Sequence, residues 1–185
     1  MIMHYCAEDK AMYENFYYLC TIIYKRYMER VAIFPGSFDP FTRGHQAIVD
    51  EALRIFDRVV IAIGHNIAKR GMLSVDMRKR LIERVYAGNE RVEVTIYSTL
   101  TGDEARRVGA QTIVRSVRNA ADFDYERTMD HANRHVFPEL RTVVVIAPAE
   151  VEHISSSLVR ELHAFGHSCN DLLPEGINLS DYIEK

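Results

Sequence analysis

Thr42 and His45 stand three residues apart at the opening of a run whose apolar residues recur at helical spacing, and Ser37 lies a few residues upstream. Two hydroxyls and an imidazole in the stretch Gly36-Ser37-Phe38-Asp39-Pro40-Phe41-Thr42-Arg43-Gly44-His45 can hold and polarise an anion through hydrogen bonds. Pro35-Gly36 and Asp39-Pro40 mark a sharp turn, and Gly36 and Gly44 let main chain come close to a ligand. If a helix begins after this turn, its unpaired N–H groups point back at it, the geometry that holds phosphate.

The flanking elements set that turn in place. Val31 to Phe34 is a short apolar run with the character of a buried strand, and Gln46 to Phe56 puts Ile48, Val49, Ala52, Leu53 and Phe56 on one helical face. Arg58 to Ile63 is a second buried strand, closed by Gly64. Ser74 is a suitable N-cap for a helix to about Tyr86, with Met77, Leu81 and Val85 on one stripe. Val92, Val94 and Ile96 alternate as a third strand. Thr101 to Gly109 follows as a short polar helix, and Thr112 to Val114 as a fourth strand ending at Arg115. Asp122 to Phe137 has helical spacing. Thr142 to Ala147 is the most evident buried strand, and Ile154 to Ser157 starts a helix whose Leu158, Leu162 and Phe165 share a face. Strands alternating with helices in this way predict an α/β fold built on a five-stranded parallel sheet. The tail from Asp171 to Lys185 is expected to form a short helix against the body.

In such a sheet ligands gather beyond the carboxyl ends of the strands. Ser37 to His45 follow the first strand, Lys69 the second, Thr99 to Thr101 the third, Arg115 and Arg118 the fourth, and Ser155 to Ser157 the fifth. This is an inventory of hydroxyl, imidazole, cationic and helix-terminal donors without a Cys or carboxylate cage for a metal. It suits a polyphosphate. His131 and His135 share a helix face, but no further ligand stands near them in sequence, so a solvent or subunit contact is the better reading.

Composition narrows the class. The chain has 185 residues, a net charge of -3 and 48% hydrophobic content, which fit one soluble domain with a sizeable core and give no general footprint for nucleic acid or anionic membrane. The three cysteines, Cys6, Cys20 and Cys169, form no Cys-x-x-Cys pair, so reduced thiols and a cytoplasmic setting are expected. No apolar run reaches membrane-spanning length, and a secretory signal is not evident.

On these residues the chain resembles the nucleotidylyltransferase superfamily. Thr42-Arg43-Gly44-His45 is similar to its Thr-x-Gly-His signature, and Ile154-Ser-Ser-Ser-Leu-Val-Arg160 to its second motif, Ile-Ser-Ser-Ser-x-Val-(Lys/Arg). With Arg115-Ser-Val-Arg118 and Ala121-Asp-Phe-Asp-Tyr-Glu126 added, the pattern from about Val31 to Pro174 resembles the phosphopantetheine adenylyltransferases. The resemblance implies a Rossmann-like, doubly wound sheet and direct attack of the 4'-phosphate of phosphopantetheine on the α-phosphorus of ATP. It implies His45, Ser37, Lys69 and Arg118 as catalytic residues. Ser37, Phe38, His45, Ser116, Val117, Arg118, Glu126 and the stretch Val151, Glu152, His153, Ile154, Ser155, Ser156 and Ser157 would face ATP. Ser37, Lys69, Leu100, Thr101 and Arg115 would face phosphopantetheine. Magnesium (Mg2+) would arrive with ATP, and a homohexamer is implied, with neither nucleic acid nor membrane as a partner.

The sequence departs from the family pattern at three of these positions. Ser37 stands where Thr is usual, Ser116 where Gly is common, which would be strained if that residue needs a positive φ, and Val151 where an aromatic is often found. Two rival readings remain: another nucleotidylyltransferase, acting on nicotinamide mononucleotide or an alcohol phosphate, and a nucleotide-binding protein without turnover. Residues 1–29, rich in aromatics and free of Gly and Pro, are expected to be a helical extension before a domain spanning 30–185. That extension can be a docking or oligomerisation helix, but a surface appendage, or sequence upstream of a true start at Met28, is the better reading.

Overall fold

The computed structural model describes residues 16–20, 29–65 and 70–183. Five strands, β1 (Val31–Gly36), β2 (Arg58–Gly64), β3 (Val92–Tyr97), β4 (Thr112–Val117) and β5 (Arg141–Ile146), form one sheet in the order β3-β2-β1-β4-β5, every pair parallel. The helices are α1 (Arg43–Ile55), α2 (Val75–Val85), α3 (Thr101–Val108), α4 (Ala120–Val136) and α5 (Ser156–Ala164). The interior strands β1 and β2 are buried on both faces, which is why their sequences are continuous apolar runs. On one face Ala32, Phe34, Val59, Ile61, Ile63 and Val114 pack with Ile48, Val49 and Ala52 of α1, Leu81 and Ile82 of α2 and Val159 of α5. On the other, Val31, Ile33, Val60, Ala62 and Ile113 pack with Ala105 of α3 and with Phe137 and Leu140 beyond α4. The sheet is doubly wound, and the switch in strand order falls between β1 and β4.

That switch point opens. β1 pairs with β2 from Val31 to Gly36, but with β4 only at Ala32↔Thr112 and Ile33↔Ile113, so the carboxyl ends of β1 and β4 part company and leave a crevice.

Several elements differ from expectation. β4 continues through Arg115 to Val117, paired along its length with β5. β5 is an edge strand: its middle residues are only half-buried and Ile146 is 78% exposed. An apolar run gives the same signature for an interior strand and for an edge strand, because the missing neighbour is not written in the strand itself. Phe165 caps α5 and is exposed, so it does not share the buried face with Leu158 and Leu162. The tail forms two short 3-10 turns, Asn170–Leu172 and Leu179–Asp181. These turns bury Leu172 and Leu179, and the segments beside them bury Cys169, Leu173 and Ile177 in the main core. Residues 16–20 are helical and exposed, while the rest of the expected N-terminal helix lies outside the described residues, apart from Glu29, which is not helical. Among the described residues, no helix is long and apolar enough to cross a membrane.

Candidate active site

The first turn of α1 fixes the imidazole. Thr42 is the N-cap, buried and extended, and its Oγ1 accepts from the His45 N–H at 3.4 Å while its own N–H donates to His45 Nδ1 at 3.0 Å. This reciprocal pair is a capping box with histidine in the place usually taken by Glu or Gln. A main-chain N–H can only donate, so Nδ1 must be the unprotonated nitrogen and Nε2 carries the hydrogen. The ring lies stacked on Phe41 at 5.4 Å and edge-on to Phe38 at 5.1 Å. Burial, reinforced by the Arg118 guanidinium, pushes its pKa down to about 4. At neutral pH His45 is an uncharged donor whose orientation is set by the helix cap and its aromatic neighbours.

The turn before it is shaped by close packing. Phe38 adopts φ 47, unusual for a side chain of its size, and its ring lies against the main chain of Gly36, where a Cβ would come within 2.8 Å of the ring. Gly44 serves a second close approach, since a Cβ there would meet the Ile154 carbonyl at 3.0 Å. The start of α1 and the loop before α5 therefore sit side by side.

The crevice between β1 and β4 has a volume of ≈ 450 Å³. Ser37, His45, Ser116, Arg118, Glu126 and the Ser155 to Ser157 helix start line it, together with Gly44, Asp122, Tyr125, Val151, Ile154 and Arg160. Ser155 caps α5, accepting from the Leu158 N–H at 3.1 Å, and Ser156 Oγ donates to the Pro40 carbonyl at 2.8 Å. Arg118 leans on Asp122, with Nε donating to Oδ2 at 3.0 Å, and this contact holds the Asp122 carboxyl below its usual range. Ser116 is an extended strand residue, paired with Val145, so no positive φ is required of it. Phe38 and Val117 are buried away from the crevice, and Glu152 and His153 are exposed outside its lining.

Arg115 projects from the other face of β4. Its Nε lies 3.1 Å from Glu126 Oε2, a charge pair out of line for a hydrogen bond, and its Nη1 donates to the Pro35 carbonyl at 3.4 Å. Burial pushes the Glu126 carboxyl up, Arg115 opposes this, and Asp122 adds to it. Leu100 and Thr101 sit beyond β3, on the opposite side of β1 from the 450 Å³ crevice, with Thr101 Oγ1 3.0 Å from the Tyr97 hydroxyl. Lys69 lies outside the described residues. Of the residues expected to face ATP, Ser37, His45, Ser116, Arg118, Glu126, Val151 and Ile154 to Ser157 line the crevice. Of those expected to face the acceptor, Ser37 lines it too, Leu100 and Thr101 lie on the β2-β3 side of β1, and Arg115 stands on β4 beside Glu126.

Asp39 and Arg160, given no role of their own by the sequence, and Arg78, not singled out by it, complete the site. Asp39 is buried, and its carboxylate accepts from the N–H groups of Met72 and Leu73, each at 2.8 Å. Arg78, also buried, lies 3.3 Å from that carboxylate and donates to the Leu73 and Ser37 carbonyls at 2.8 and 3.1 Å. Arg160 donates to the Asp39 carbonyl at 2.7 Å. Asp39 lies in a Pro-marked turn and Arg160 ends the second motif, whereas nothing local sets Arg78 apart from Lys79, Arg80 and Arg84 in the same stretch. Among the described residues, no three His, Cys, Asp or Glu side chains come together as a metal site.

A family model described as cytidylyltransferase-like matches residues 33–162. The chain is similar to the phosphopantetheine adenylyltransferase of Porphyromonas gingivalis, at 47% identity over 151 residues covering 82% of this chain and 98% of that protein. It is also similar to those of Cytophaga hutchinsonii, at 41% over 80% of this chain and 98% of the other, and Latilactobacillus sakei, at 44% over 80% and 91%. In fold it is similar to a bifunctional NMN adenylyltransferase/ADP ribose pyrophosphatase from Francisella tularensis, solved with AMP and a manganese ion. The TM-score is 0.61 at 18% identity, over 80% of this chain and 45% of that longer one.

Proposed function

The chain belongs to the cytidylyltransferase-like family and, within it, to the phosphopantetheine adenylyltransferases, and from that premise we propose how its residues divide the work. The enzyme transfers AMP from ATP to 4'-phosphopantetheine. An oxygen of the acceptor phosphate forms a bond to the α-phosphorus of ATP, the bond from that phosphorus to the bridging oxygen of the β-phosphate breaks, and dephospho-coenzyme A and pyrophosphate leave. The acceptor phosphate is already ionised near neutral pH, so no strong base is needed. Alignment and neutralisation of charge are the enzyme's task.

The observation that carries the assignment of roles is the capping box, which leaves His45 neutral with Nε2–H as its free donor at the mouth of α1. We assign that hydrogen to the triphosphate oxygens near the reacting phosphorus, where negative charge grows. Arg118 and the N-terminus of α5 with Ser155 to Ser157 take the remaining phosphates, and Ser116 and Glu126 line the nucleotide half. Val151 and Ile154 wall the same half, while Phe38, Val117, Glu152 and His153 can reach the nucleotide only through main chain or by loop movement. Ser37 takes the acceptor phosphate, with Lys69, Arg115, Leu100 and Thr101 assigned to the acceptor half. The crevice supplies phosphate ligands, and the carboxylates nearest it, Asp122 and Glu126, are already engaged by arginines. Mg2+ therefore enters as part of the substrate, carried on the phosphates of ATP.

We place the reaction in the cytoplasm, consistent with the free thiols of Cys20 and Cys169, and assign the catalytic domain to residues 30–185 with residues 1–29 as an appendage. A homohexamer is supported by α4, which buries none of its residues yet presents Phe123 and Val136, and by the exposed edge of β5 at Ile146. The deciding experiment measures pyrophosphate release from ATP or CTP with phosphopantetheine, nicotinamide mononucleotide or glycerol 3-phosphate. Turnover with ATP and phosphopantetheine alone is expected, and preference for another pair would overturn the assignment.

A further inference from the structure

Beneath the crevice, on the β2-β3 side, a buried carboxylate and a buried guanidinium tie three separate stretches of chain together. Asp39 belongs to the turn after β1, Arg78 to the first half of α2, and Met72 and Leu73 to the segment between β2 and α2. Asp39 accepts from both N–H groups of that segment at 2.8 Å. Arg78 Nε and Nη2 donate to the Leu73 carbonyl at 2.9 and 2.8 Å, and its Nη1 crosses to the Ser37 carbonyl at 3.1 Å. Gly71 completes the arrangement, because a Cβ on it would fall 1.7 Å from Arg78 Nη2 and 2.8 Å from Asp39 Oδ2.

A buried ion pair is by itself weak grounds for a stabilising role, since the cost of removing two charges from water offsets their attraction. What distinguishes this pair is where its hydrogen bonds end. Arg78 is the side chain that grips Ser37, and it grips main chain, leaving the Ser37 hydroxyl exposed toward the crevice. The nucleotide half is held independently: Arg160 binds the Asp39 carbonyl at 2.7 Å and Ser156 binds the Pro40 carbonyl at 2.8 Å. The turn from Ser37 to Pro40 is thus anchored twice, once from each side of β1.

We infer that Arg78, locked by Asp39, is a positioning residue that fixes Ser37 for the acceptor phosphate while leaving the nucleotide half unaffected. Arg78 does not touch substrate on this account. It acts by holding the Ser37 main chain, and a displacement of that serine misaligns the attacking oxygen. The inference rests on the assignment of Ser37 to the acceptor.

The test compares Arg78→Gln, Arg78→Lys and Gly71→Ala with the full wild-type chain, measuring kcat, the KM for each substrate, ATP affinity by calorimetry and Tm. Arg78→Gln is expected to raise the KM for phosphopantetheine by about tenfold or more, a loss of about 1.4 kcal/mol. It should lower kcat as well and leave ATP affinity within about twofold. Arg78→Lys, which keeps the charge but reaches fewer carbonyls, should recover part of that loss. Gly71→Ala displaces the guanidinium without removing it and lies in an exposed segment, so it should give the same acceptor-selective defect even if Arg78→Gln fails to fold. A parallel rise in the KM for ATP, or a fall in Tm with both KM values unchanged, overturns the inference. Failure of the wild type to use phosphopantetheine would instead overturn the functional assignment beneath it.

Discussion

His45→Ala and His45→Gln together separate the catalytic role of the imidazole from its structural one. The ring does two things: Nδ1 accepts the Thr42 N–H at 3.0 Å, closing the cap of α1, and Nε2–H is free for substrate. Alanine removes both, whereas glutamine can restore the first, because a Gln at this position closes a capping box through its side-chain oxygen. Loss of the cap arm costs about 1 kcal/mol of stability. Loss of one well-placed donor to developing charge costs about 10²–10³ in kcat, roughly 2.7–4 kcal/mol. His45→Ala should therefore lose about two to three orders of magnitude in steady-state pyrophosphate release, and His45→Gln, whose amide can still donate, less; both should bind ATP within a fewfold of wild type by calorimetry and differ in Tm, with His45→Gln the closer to wild type. Equal losses in ATP affinity and turnover would assign His45 to ground-state binding, and a His45→Ala variant within about tenfold of wild-type kcat would refute the donor role.

Because His45 is neutral down to about 4, folding stability that depends on it rises with pH between about 4 and the ordinary histidine range near 6.5; melts across this window should show wild type losing stability relative to His45→Ala as pH falls. For Asp122, whose carboxyl Arg118 holds below its usual range, the contribution is present above that range and fades as pH drops through the lowered value. The stability gap between wild type and Asp122→Asn should close in acid. Gly36→Ala must push a Cβ to within 2.8 Å of the fully buried Phe38 ring and should lower stability by about 1–3 kcal/mol in denaturant melts. Ile146→Glu on the exposed edge of β5 should shift the light-scattering mass toward smaller species if that edge is an assembly surface; an unchanged mass would remove β5 from the interface.

Much of this was legible in the residues. The interior strands announced themselves because both their faces are buried, and Ser74, Ser155 and the glycine after α3 punctuated helices as their types require. Thr42 and His45 were visible as a hydroxyl and an imidazole at a helix mouth. Their reciprocal hydrogen bonds, and hence the tautomer, were not, because histidine is an unusual partner in that box. The edge position of β5 and the pairing of Arg115 with Glu126 depend on which strands and helices are neighbours, which no local pattern carries. Asp39 and Arg78 were illegible for a related reason: their partners are main-chain groups more than thirty residues from one or the other, so neither residue type nor spacing marks the contact.

Direct transfer between the two bound substrates, with no covalent enzyme intermediate, can be followed on the phosphorus itself. Supplying ATP labelled at the α-phosphate together with 4'-phosphopantetheine, and separating protein from small molecules after single and multiple turnovers, follows that phosphorus through the reaction. The label is expected in dephospho-coenzyme A, with one pyrophosphate released per label transferred and none retained on the chain. Label bound covalently to the protein, or released as free AMP without acceptor product, would contradict it.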